Sequence, residues 1–451
     1  MAKARNRRPG RRTKTTGPRE GVGELLELRL GDPAHGGACV ARDDNGRVVF
    51  VRFGLPGELV RARVVDVRNQ LAWADAVEVL EPSDDRMPSV WPEAGPGGVG
   101  GGELAHVKPA AQRRWKHDVL AQQIRRIGGE SLAAAVDAIG GFTFEPAPGD
   151  EGADDLLLGR RTRIELTIGK DGRAGMHAYR SRDVIPLAEM PLAVPEIQAL
   201  DLLGEDSPWA VHWKPGDRIR AVAPTGGDEA FVVTPRGTFN SLGEPVDPTR
   251  PLTWKTTWGG AEQSYDVAPG GFWQTHREGA SVLAQAVDEM SGVTAGAAVM
   301  EFYSGAGLFT RVLAERAGES GHVVSLEGAE SAVADADRNV GGDGAAGAAP
   351  VDLFAGNVDV EGVRDLRGEL GATPDVVVLD PPRAGAAKGV MQAIADTGAP
   401  RVLLIACDPA AGARDMASLV NGAGYELREM QAWDLFPHTH HLEFAALMER
   451  R

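Results

Sequence analysis

The sequence predicts an α/β protein with three structured regions: an OB-like β-barrel, a central mixed α+β region and a C-terminal Rossmann-like domain. Three observations lead to this prediction. A chain of 451 residues has room for two to four domains. Short alternating strands separated by turn residues fill residues 21–81, and after about residue 278 apolar strands alternate with helices. The predicted boundaries are a tail at 1–20, the barrel at 21–81, the central region at 82–277 and the C-terminal domain at 278–451.

Composition narrows the class of protein. Two cysteines are too few for a disulfide framework, and the chain shows neither a short apolar signal segment nor a run of about 18 apolar residues. A reduced, soluble, cytoplasmic protein is therefore expected. The formal net charge of −16 argues against nucleic-acid binding through a generally basic surface.

The first 20 residues differ from the rest in charge. They hold eight Lys and Arg side chains against Glu20 alone, together with Gly and Pro and almost no apolar residues. Such a segment is expected to be disordered. Two interpretations stay open, a solvated terminus and an arm that contacts phosphates.

The barrel is predicted from five alternating segments at spacings of 8 to 12 residues. Cys39 falls in the second of them, where a buried structural thiol is expected rather than a reactive one. The predicted strands are Glu24–Leu30, Ala38–Arg42, Val48–Phe53, Leu59–Val67 and Leu71–Leu80.

The central region is rich in Gly, Pro and charged residues. It contains a predicted helix at Ala110–Ile127 and a predicted hairpin formed by Arg161–Ile168 and Arg173–Tyr179 around a Lys-Asp-Gly turn.

The C-terminal region alternates strand and helix with short connections, which predicts a parallel sheet covered on both faces. Ligands of such sheets bind at the carboxyl ends of the strands. The predicted strands are Ala297–Phe302, Gly321–Leu326, Asp375–Leu379 and Arg401–Ile405, and the predicted helices are Leu308–Arg316, Ser331–Asn339 and Val390–Asp396.

A glycine-rich turn, Glu301–Gly307, closes the first of these strands. Glycines such as Gly305 and Gly307 let backbone amides approach a ligand, and an acidic residue about 20 positions later can bind ribose hydroxyls. Glu327 stands 20 residues after Gly307, whereas Thr310 occupies the place of the third glycine of a dinucleotide motif. The pattern favours a nucleoside ligand such as S-adenosylmethionine over a pyrophosphate, although a turn without a ligand remains an alternative.

Two further strands end in reactive side chains. Asp380 begins Asp380–Arg383, where consecutive prolines fix the backbone so that the carboxylate faces a planar base or a methyl donor. Cys407 ends an apolar strand at the same predicted edge. A buried cysteine is usually inert, but at this position it is a candidate nucleophile for an electron-poor carbon.

The segment Asp434–Glu443 contains three histidines, His438, His440 and His441. No matching set of cysteines or carboxylates accompanies them, so a zinc site is not favoured. Glu443 is the candidate general base.

Together, these segments resemble the class I RNA uracil-5-methyltransferases that carry an N-terminal TRAM domain. The resemblance spans nearly the whole chain, and residues 21–81 are similar to TRAM, with Phe50–Glu58 as its core. The segments similar to the family's motifs are Phe272–Gln274, Tyr303–Gly307, Asp380–Gly385, Ala406–Pro409 and Phe436–Glu443.

The resemblance implies methyl transfer from S-adenosylmethionine to carbon 5 of a uridine in RNA. It implies that Cys407 adds to carbon 6 of the ring, that Glu443 removes the carbon 5 proton, and that Asp380 orients the ring. The uridine must be single-stranded or flipped out of a helix to be reached. The residues implied to hold the cofactor are Gln274, Tyr303, Gly305, Gly307, Glu327, Asn357 and Asp380.

The chain also departs from the family pattern. Many members carry four cysteines for an iron–sulfur cluster, whereas Val99–Gly102 and Met190 occupy the corresponding positions here, so no cluster is expected. Ala406 and Asp408 replace the usual Ser and Asn beside the nucleophile. A carboxylate next to Cys407 is expected to raise the pKa of the thiol unless a cation or hydrogen bonds offset it.

Three functional hypotheses follow. The leading one is the RNA uracil-5-methyltransferase, with ribosomal RNA favoured over transfer RNA. The second keeps the cofactor but methylates a small molecule or an exocyclic nitrogen, and the third is an RNA-binding protein with a decayed methyltransferase domain. Nothing in the sequence requires more than a monomer or a membrane.

Overall fold

The computed structural model describes residues 21–152, 156–179, 181–341 and 347–451, so the predicted basic tail at 1–20 lies outside the described residues. The described chain forms two compact units. The first contains the residues up to Asp32 and Ala38–Ser83, and the second contains Pro33–Gly37 and Asp84–Arg451. The predicted central and C-terminal regions thus share one unit, and the boundary at 277/278 stays a sequence prediction.

The first unit is a curved sheet of five strands in the order β1-β5-β6-β4-β3. Alternate residues of β4 and β6 point inward, so that Val49, Val51, Ala72 and Ala74 are fully buried. The strands are β1 (Leu25–Arg29), β3 (Ala38–Arg42), β4 (Val48–Arg52), β5 (Leu59–Arg68) and β6 (Leu71–Glu81), and the second unit's segment 33–37 contains β2 (Pro33–Ala34).

All five predicted strands of this unit are therefore present within one or two residues of their expected ends. Gly31, just after β1, donates a backbone hydrogen bond to Val40 in β3, at the opposite end of the strand order. This hydrogen bond brings the two ends of the strand order together, which is consistent with the barrel that the spacing predicts. Cys39 is fully buried, as expected for a structural thiol.

The second unit begins with helices and small sheets. A π-helical turn at Ile124–Gly128 joins α1 to α2, and the predicted hairpin is present as β8 and β9. The helices are α1 (Pro109–Gln123), α2 (Gly129–Ala138) and α3 (Pro195–Gln198); the strands are β7 (Thr143–Pro146), β8 (Arg163–Ile168), β9 (Ala174–His177), β10 (Val184–Pro186), β11 (Arg218–Val222), β12 (Phe231–Thr234), β13 (Gly237–Phe239), β14 (Pro245–Val246), β15 (Leu252–Trp258) and β16 (Ala261–Val267).

The C-terminal part contains the predicted alternation of strands and helices. Its strands are β17 (Ala298–Phe302), β18 (His322–Glu327), β19 (Val351–Ala355), β20 (Val376–Leu379), β21 (Arg401–Ala406), β22 (Tyr425–Asp434) and β23 (Glu443–Arg450). Its helices are α4 (Gly279–Met290), α5 (Leu308–Ala317), α6 (Glu330–Val340), α7 (Val360–Leu370), α8 (Val390–Asp396) and α9 (Pro409–Val420).

These strands form one sheet in the order β19-β18-β17-β20-β21-β23-β22-β7. Neighbouring residues of β17 alternate between two apolar clusters, with Met300 and Phe302 in one and Val299 in the other, so both faces are covered. The sheet is not purely parallel, because β23 runs antiparallel to β21 and to β22. β7, from the predicted central region, adds parallel to β22 at the edge.

No helix within the described ranges is long and apolar enough to cross a membrane.

Candidate active site

The parallel strands bring the sequence-predicted turns to one edge of the sheet. Phe302 pairs with Leu379 in the register of β17 and β20, so Tyr303 and Asp380 follow at neighbouring positions. The backbone N–H of Asp380 donates to the carbonyl of Phe302 at 3.3 Å, and that of Tyr303 donates to the carbonyl of Leu326 at 2.9 Å. The ends of β17, β18 and β20 are thus tied together by backbone contacts.

A cavity of about 750 Å³ opens at this edge. Eight of the nine predicted site residues line it. They are Gln274, Tyr303, Gly305, Glu327, Asn357, Asp380, Cys407 and Glu443. Gly307 is not among the described residues that line the cavity.

The glycine turn, residues 303–307, is held by Glu327 at the end of β18. One carboxylate oxygen of Glu327 accepts from the backbone N–H of Gly305 at 3.0 Å, and the other accepts from that of Ala329 at 2.9 Å. Gly307 has a φ of +83°, and a Cβ there would stand 3.1 Å from the Cβ of Ala336 in α6. Glycine at 307 is therefore required by backbone conformation and helix packing.

Cys407 and Glu443 lie side by side because of the antiparallel strand that the sequence did not predict. Ala406 pairs with Phe444 in the register of β21 and β23. One step further along both strands brings Cys407 and Glu443 to facing positions. Both side chains line the cavity, and Glu443 is 4% exposed.

Burial and neighbouring carboxylates raise the pKa of both side chains. Burial, followed by the charges of Glu443 and Asp380, raises the pKa of Cys407 to about 12, against the opposing charge of Arg383. Burial and Asp380 raise the pKa of Glu443 well above its ordinary value. Burial and Glu327 raise the pKa of Asp380 to about 7. A cationic ligand in the cavity would favour the charged form of each group.

Asp408, one of the departures from the family pattern, caps α9. Its Oδ1 accepts from the backbone N–H groups of Ala410 and Ala411 at 3.0 and 2.8 Å, and its Oδ2 lies 3.5 Å from Nε2 of His35. A carboxylate at a helix N-terminus is stabilised by the helix dipole and by these donors. Among the named causes that raise the pKa of Cys407, the charge of Asp408 is the smallest and burial is the largest.

The histidine loop, residues 435–442, joins β22 to β23, and the rings of His440 and His441 lie 4.1 Å apart between centroids. His441 lines the cavity, as does Phe436, and their rings meet edge to face at 5.9 Å between centroids. His438 is fully buried. Within the described part of the chain, no group of three or more His, Cys, Asp or Glu side chains could hold a metal ion.

Several residues without a sequence-predicted role also lie on the cavity wall. Phe436, His441 and Arg383 line it together with Phe272 and Phe309. The first four stand inside the segments that resemble the family's motifs: Phe436–Glu443, Asp380–Gly385 and Phe272–Gln274. Their presence in those segments is the signal that could have identified them.

The positions at which many family members carry cluster cysteines are apolar here. Val99 and Met190 are buried in one apolar cluster with Trp91. A Cβ at Gly102 would lie 2.6 Å from the Cβ of Ala94 and 2.9 Å from the ring of Trp91. The space beside Gly102 is thus already filled by hydrocarbon.

Comparisons with known proteins agree with this geometry. Residues 19–77 match the TRAM domain, and residues 259–451 match the family described as tRNA (Uracil-5-)-methyltransferase. A 23S rRNA (uracil(1939)-C(5))-methyltransferase RlmD from Halomonas elongata is 30% identical over 461 residues, covering 94% of this chain and 89% of that protein. The chain belongs to the TRAM-containing RNA uracil-5-methyltransferase family.

Other members of the RNA methyltransferase family are more similar in sequence. An uncharacterized RNA methyltransferase from Bifidobacterium longum is 39% identical, covering 94% of this chain and 96% of that protein. One from Streptomyces avermitilis is 36% identical, with 95% and 99% covered. The fold also matches a solved structure, the Pyrococcus abyssi tRNA (uracil-54, C5)-methyltransferase in complex with S-adenosyl-L-homocysteine, at a TM-score of 0.61 and 22% identity, covering 94% of this chain and 99% of that one.

Proposed function

We propose that this member of the family transfers a methyl group from S-adenosylmethionine to carbon 5 of a uridine in RNA, with Cys407 as nucleophile and Glu443 as general base. One observation carries the proposal. Cys407 and Glu443 occupy facing register positions on the wall of the cavity that also contains the glycine turn. A nucleophile, a base and a nucleoside-binding turn are the three parts that this reaction needs.

The residues around the glycine turn fit S-adenosylmethionine. Glu327 ends β18, where a carboxylate can bind ribose hydroxyls, and Tyr303, Gly305 and Asn357 line the same part of the cavity. Gln274 and Asp380 would contact the methionine part, while Gly307 would support the turn by packing. The cofactor supplies an electrophilic methyl group that carbon 5 of the uracil ring takes up.

The side chains of the protein would perform the remaining steps. The thiolate of Cys407 forms a bond to carbon 6, and the electrons of the ring double bond move onto the enolate, which makes carbon 5 nucleophilic. Once carbon 5 carries the methyl group, the carboxylate of Glu443 removes the carbon 5 proton. The bond between sulfur and carbon 6 then breaks and the ring double bond returns. Asp380 would orient the ring during these steps.

RNA is the substrate class supported by the TRAM domain and the family. We favour ribosomal RNA, because the RlmD protein from Halomonas elongata is named for 23S rRNA and covers 94% of this chain. A paired uridine cannot reach the half-buried Cys407 at the cavity wall, so the target base must be unpaired or flipped out.

We further propose that the enzyme works without an iron–sulfur cluster, as a monomer in the cytoplasm. The apolar positions Val99 and Met190 do not fit a group that binds through thiolates. Both cysteines of the chain are free, and Cys407 is needed for the reaction.

The test is mass spectrometry of RNA from a strain that lacks the protein, separated into ribosomal and transfer RNA. We expect one 5-methyluridine to disappear from ribosomal RNA and to return when the wild-type gene is restored. Loss from transfer RNA instead would correct the choice of RNA. Unchanged 5-methyluridine at every site in both would refute the proposed function.

The variant Cys407→Ala distinguishes methylation of an exocyclic nitrogen from methylation of carbon 5. Nitrogen methylation needs no thiolate, so an enzyme of that kind would keep its activity in this variant. The proposed mechanism requires the activity to vanish.

A further inference from the structure

The histidine loop depends on residues from a distant helix. It starts directly after Asp434, ends directly before Glu443 and contributes Phe436 and His441 to the cavity wall. His438, in its middle, has a φ of +67°, a conformation that costs a non-glycine residue about 1 kcal/mol or more. Contacts around His438 must therefore hold the loop in this shape.

The first contact is an ion pair at the start of the loop. Nζ of Lys116, in α1, binds the carboxylate of Asp434 and donates to the carbonyl of Phe436 at 2.9 Å. Lys116 is completely buried and Asp434 is 2% exposed. Removing one partner of such a buried ion pair is strongly destabilising, because the charge of the other partner is left uncompensated.

The second contact is made by Gln112, also fully buried. Its Oε1 accepts from the backbone N–H of His438 at 2.6 Å, and its Nε2 lies 3.2 Å from Nδ1 of His438 and donates to the carbonyl of Val107. On the other side, Nε2 of His438 lies 2.7 Å from the carbonyl of Leu156. A carbonyl only accepts, so Nε2 carries the hydrogen and Nδ1 accepts from Gln112.

This arrangement requires a neutral imidazole, and burial lowers the pKa of His438 to about 4. Gln112 and Lys116 stand four residues apart and so project from the same face of α1. One helix face thus holds both the start and the middle of the loop. The contacts join residues 318 and 326 positions apart in the sequence.

We propose that Gln112 and Lys116 are positioning residues that fix the histidine loop and thereby hold Glu443 against the carbon 5 proton of the target uridine. This inference rests on the proposed function. Glu443 is the first residue after the loop, so a loop released from α1 would misplace the base. Cys407 and the glycine turn lie on other strands and would keep their places.

Two variants test the inference in the full-length protein. Gln112→Leu removes the contacts to His438, and the double variant Lys116→Met with Asp434→Leu replaces the ion pair by apolar groups, which leaves no buried charge unpaired. Tyr425→Phe is the control, since it removes a buried hydrogen bond from the hydroxyl to the carbonyl of Ala399, away from the loop.

The measurements are product formation, covalent protein–RNA complex on denaturing gels and calorimetric binding of S-adenosylmethionine, with unmodified ribosomal RNA as the substrate. We expect both loop variants to form product about 10- to 100-fold more slowly. Covalent complex should accumulate, because only its proton-dependent breakdown is slowed, while cofactor affinity stays unchanged. Tyr425→Phe should keep wild-type turnover despite a lower Tm.

Two results would overturn the inference: wild-type turnover in both loop variants, or slower turnover without accumulated complex, which would mean that the contacts only stabilise the fold. A wild-type protein that forms neither product nor covalent complex would overturn the proposed function itself, and the inference with it.

Discussion

The glycine turn and the histidine loop meet at one cavity, but they are held in different ways. The turn is fixed by its own sheet, through the backbone of Leu326 and the carboxylate of Glu327. The loop is fixed by two side chains of α1, more than 300 residues earlier in the chain. The turn is therefore held by a residue 22 positions away, whereas the loop depends on packing against a distant part of the chain.

The largest effect on turnover is expected for Glu443→Gln, next to the histidine loop. Loss of the general base is expected to reduce turnover by about 10²–10⁴-fold. Covalent protein–RNA complex should accumulate and cofactor affinity should not change, because a side-chain amide cannot take the carbon 5 proton. Single-turnover assays with gel analysis measure both effects.

Glu449→Gln, at the other end of β23, is the matched control and should keep wild-type turnover. If Glu443→Gln turned over at the wild-type rate, Glu443 would not be the base.

A smaller effect, on the affinity for S-adenosylmethionine, is expected from Glu327→Ala at the glycine turn. The change removes a carboxylate that accepts two backbone hydrogen bonds and is placed to bind a ribose. Affinity for S-adenosylmethionine should fall about 10- to 100-fold, since hydrogen bonds to a charged group contribute about 1.5–3 kcal/mol. At saturating cofactor, turnover should largely recover.

Calorimetry on Glu327→Ala and on Glu319→Ala, an exposed glutamate before β18, provides the comparison. Equal affinities in the two variants would remove Glu327 from the cofactor site.

The smallest effect is on the free energy of unfolding and concerns Glu301, at the start of the segment that contains the glycine turn. Glu301 is 1% exposed, and burial raises its pKa to about 7 against the opposing effect of hydrogen bonding by the side chains of Thr310 and Ser325. The unfolded chain ionises near pH 4 and the folded chain near pH 7, so this group costs stability as pH rises between those values. Glu301→Gln should therefore stabilise the protein by on the order of 2 kcal/mol at pH 8 and very little at pH 4.

Thermal unfolding of the wild type and Glu301→Gln at both pH values measures this difference. An equal shift in Tm at pH 4 and pH 8 would show that ionisation of Glu301 is not the cause.

The sequence predicted the site residues that stand at the ends of apolar strands. Cys407, Asp380 and Glu327 each follow an apolar strand, and strand ends of a parallel sheet share an edge. The antiparallel strand β23 was missed because no helix separates it from β22, so the alternation of strand and helix gave no signal. Gln112 and Lys116 were missed because a polar residue on a helix does not indicate its partner in a segment over 300 positions away.

The central claim is that Cys407 bonds to carbon 6 of a uridine, and a trapping experiment with RNA containing 5-fluorouridine tests it most directly. Fluorine at carbon 5 cannot be removed as a proton, so the adduct should persist and mass spectrometry should locate the RNA on the peptide that contains Cys407. Cys407→Ala should bind S-adenosylmethionine as the wild type does but form no adduct. An adduct on another residue, or full methylation by Cys407→Ala, would contradict the account.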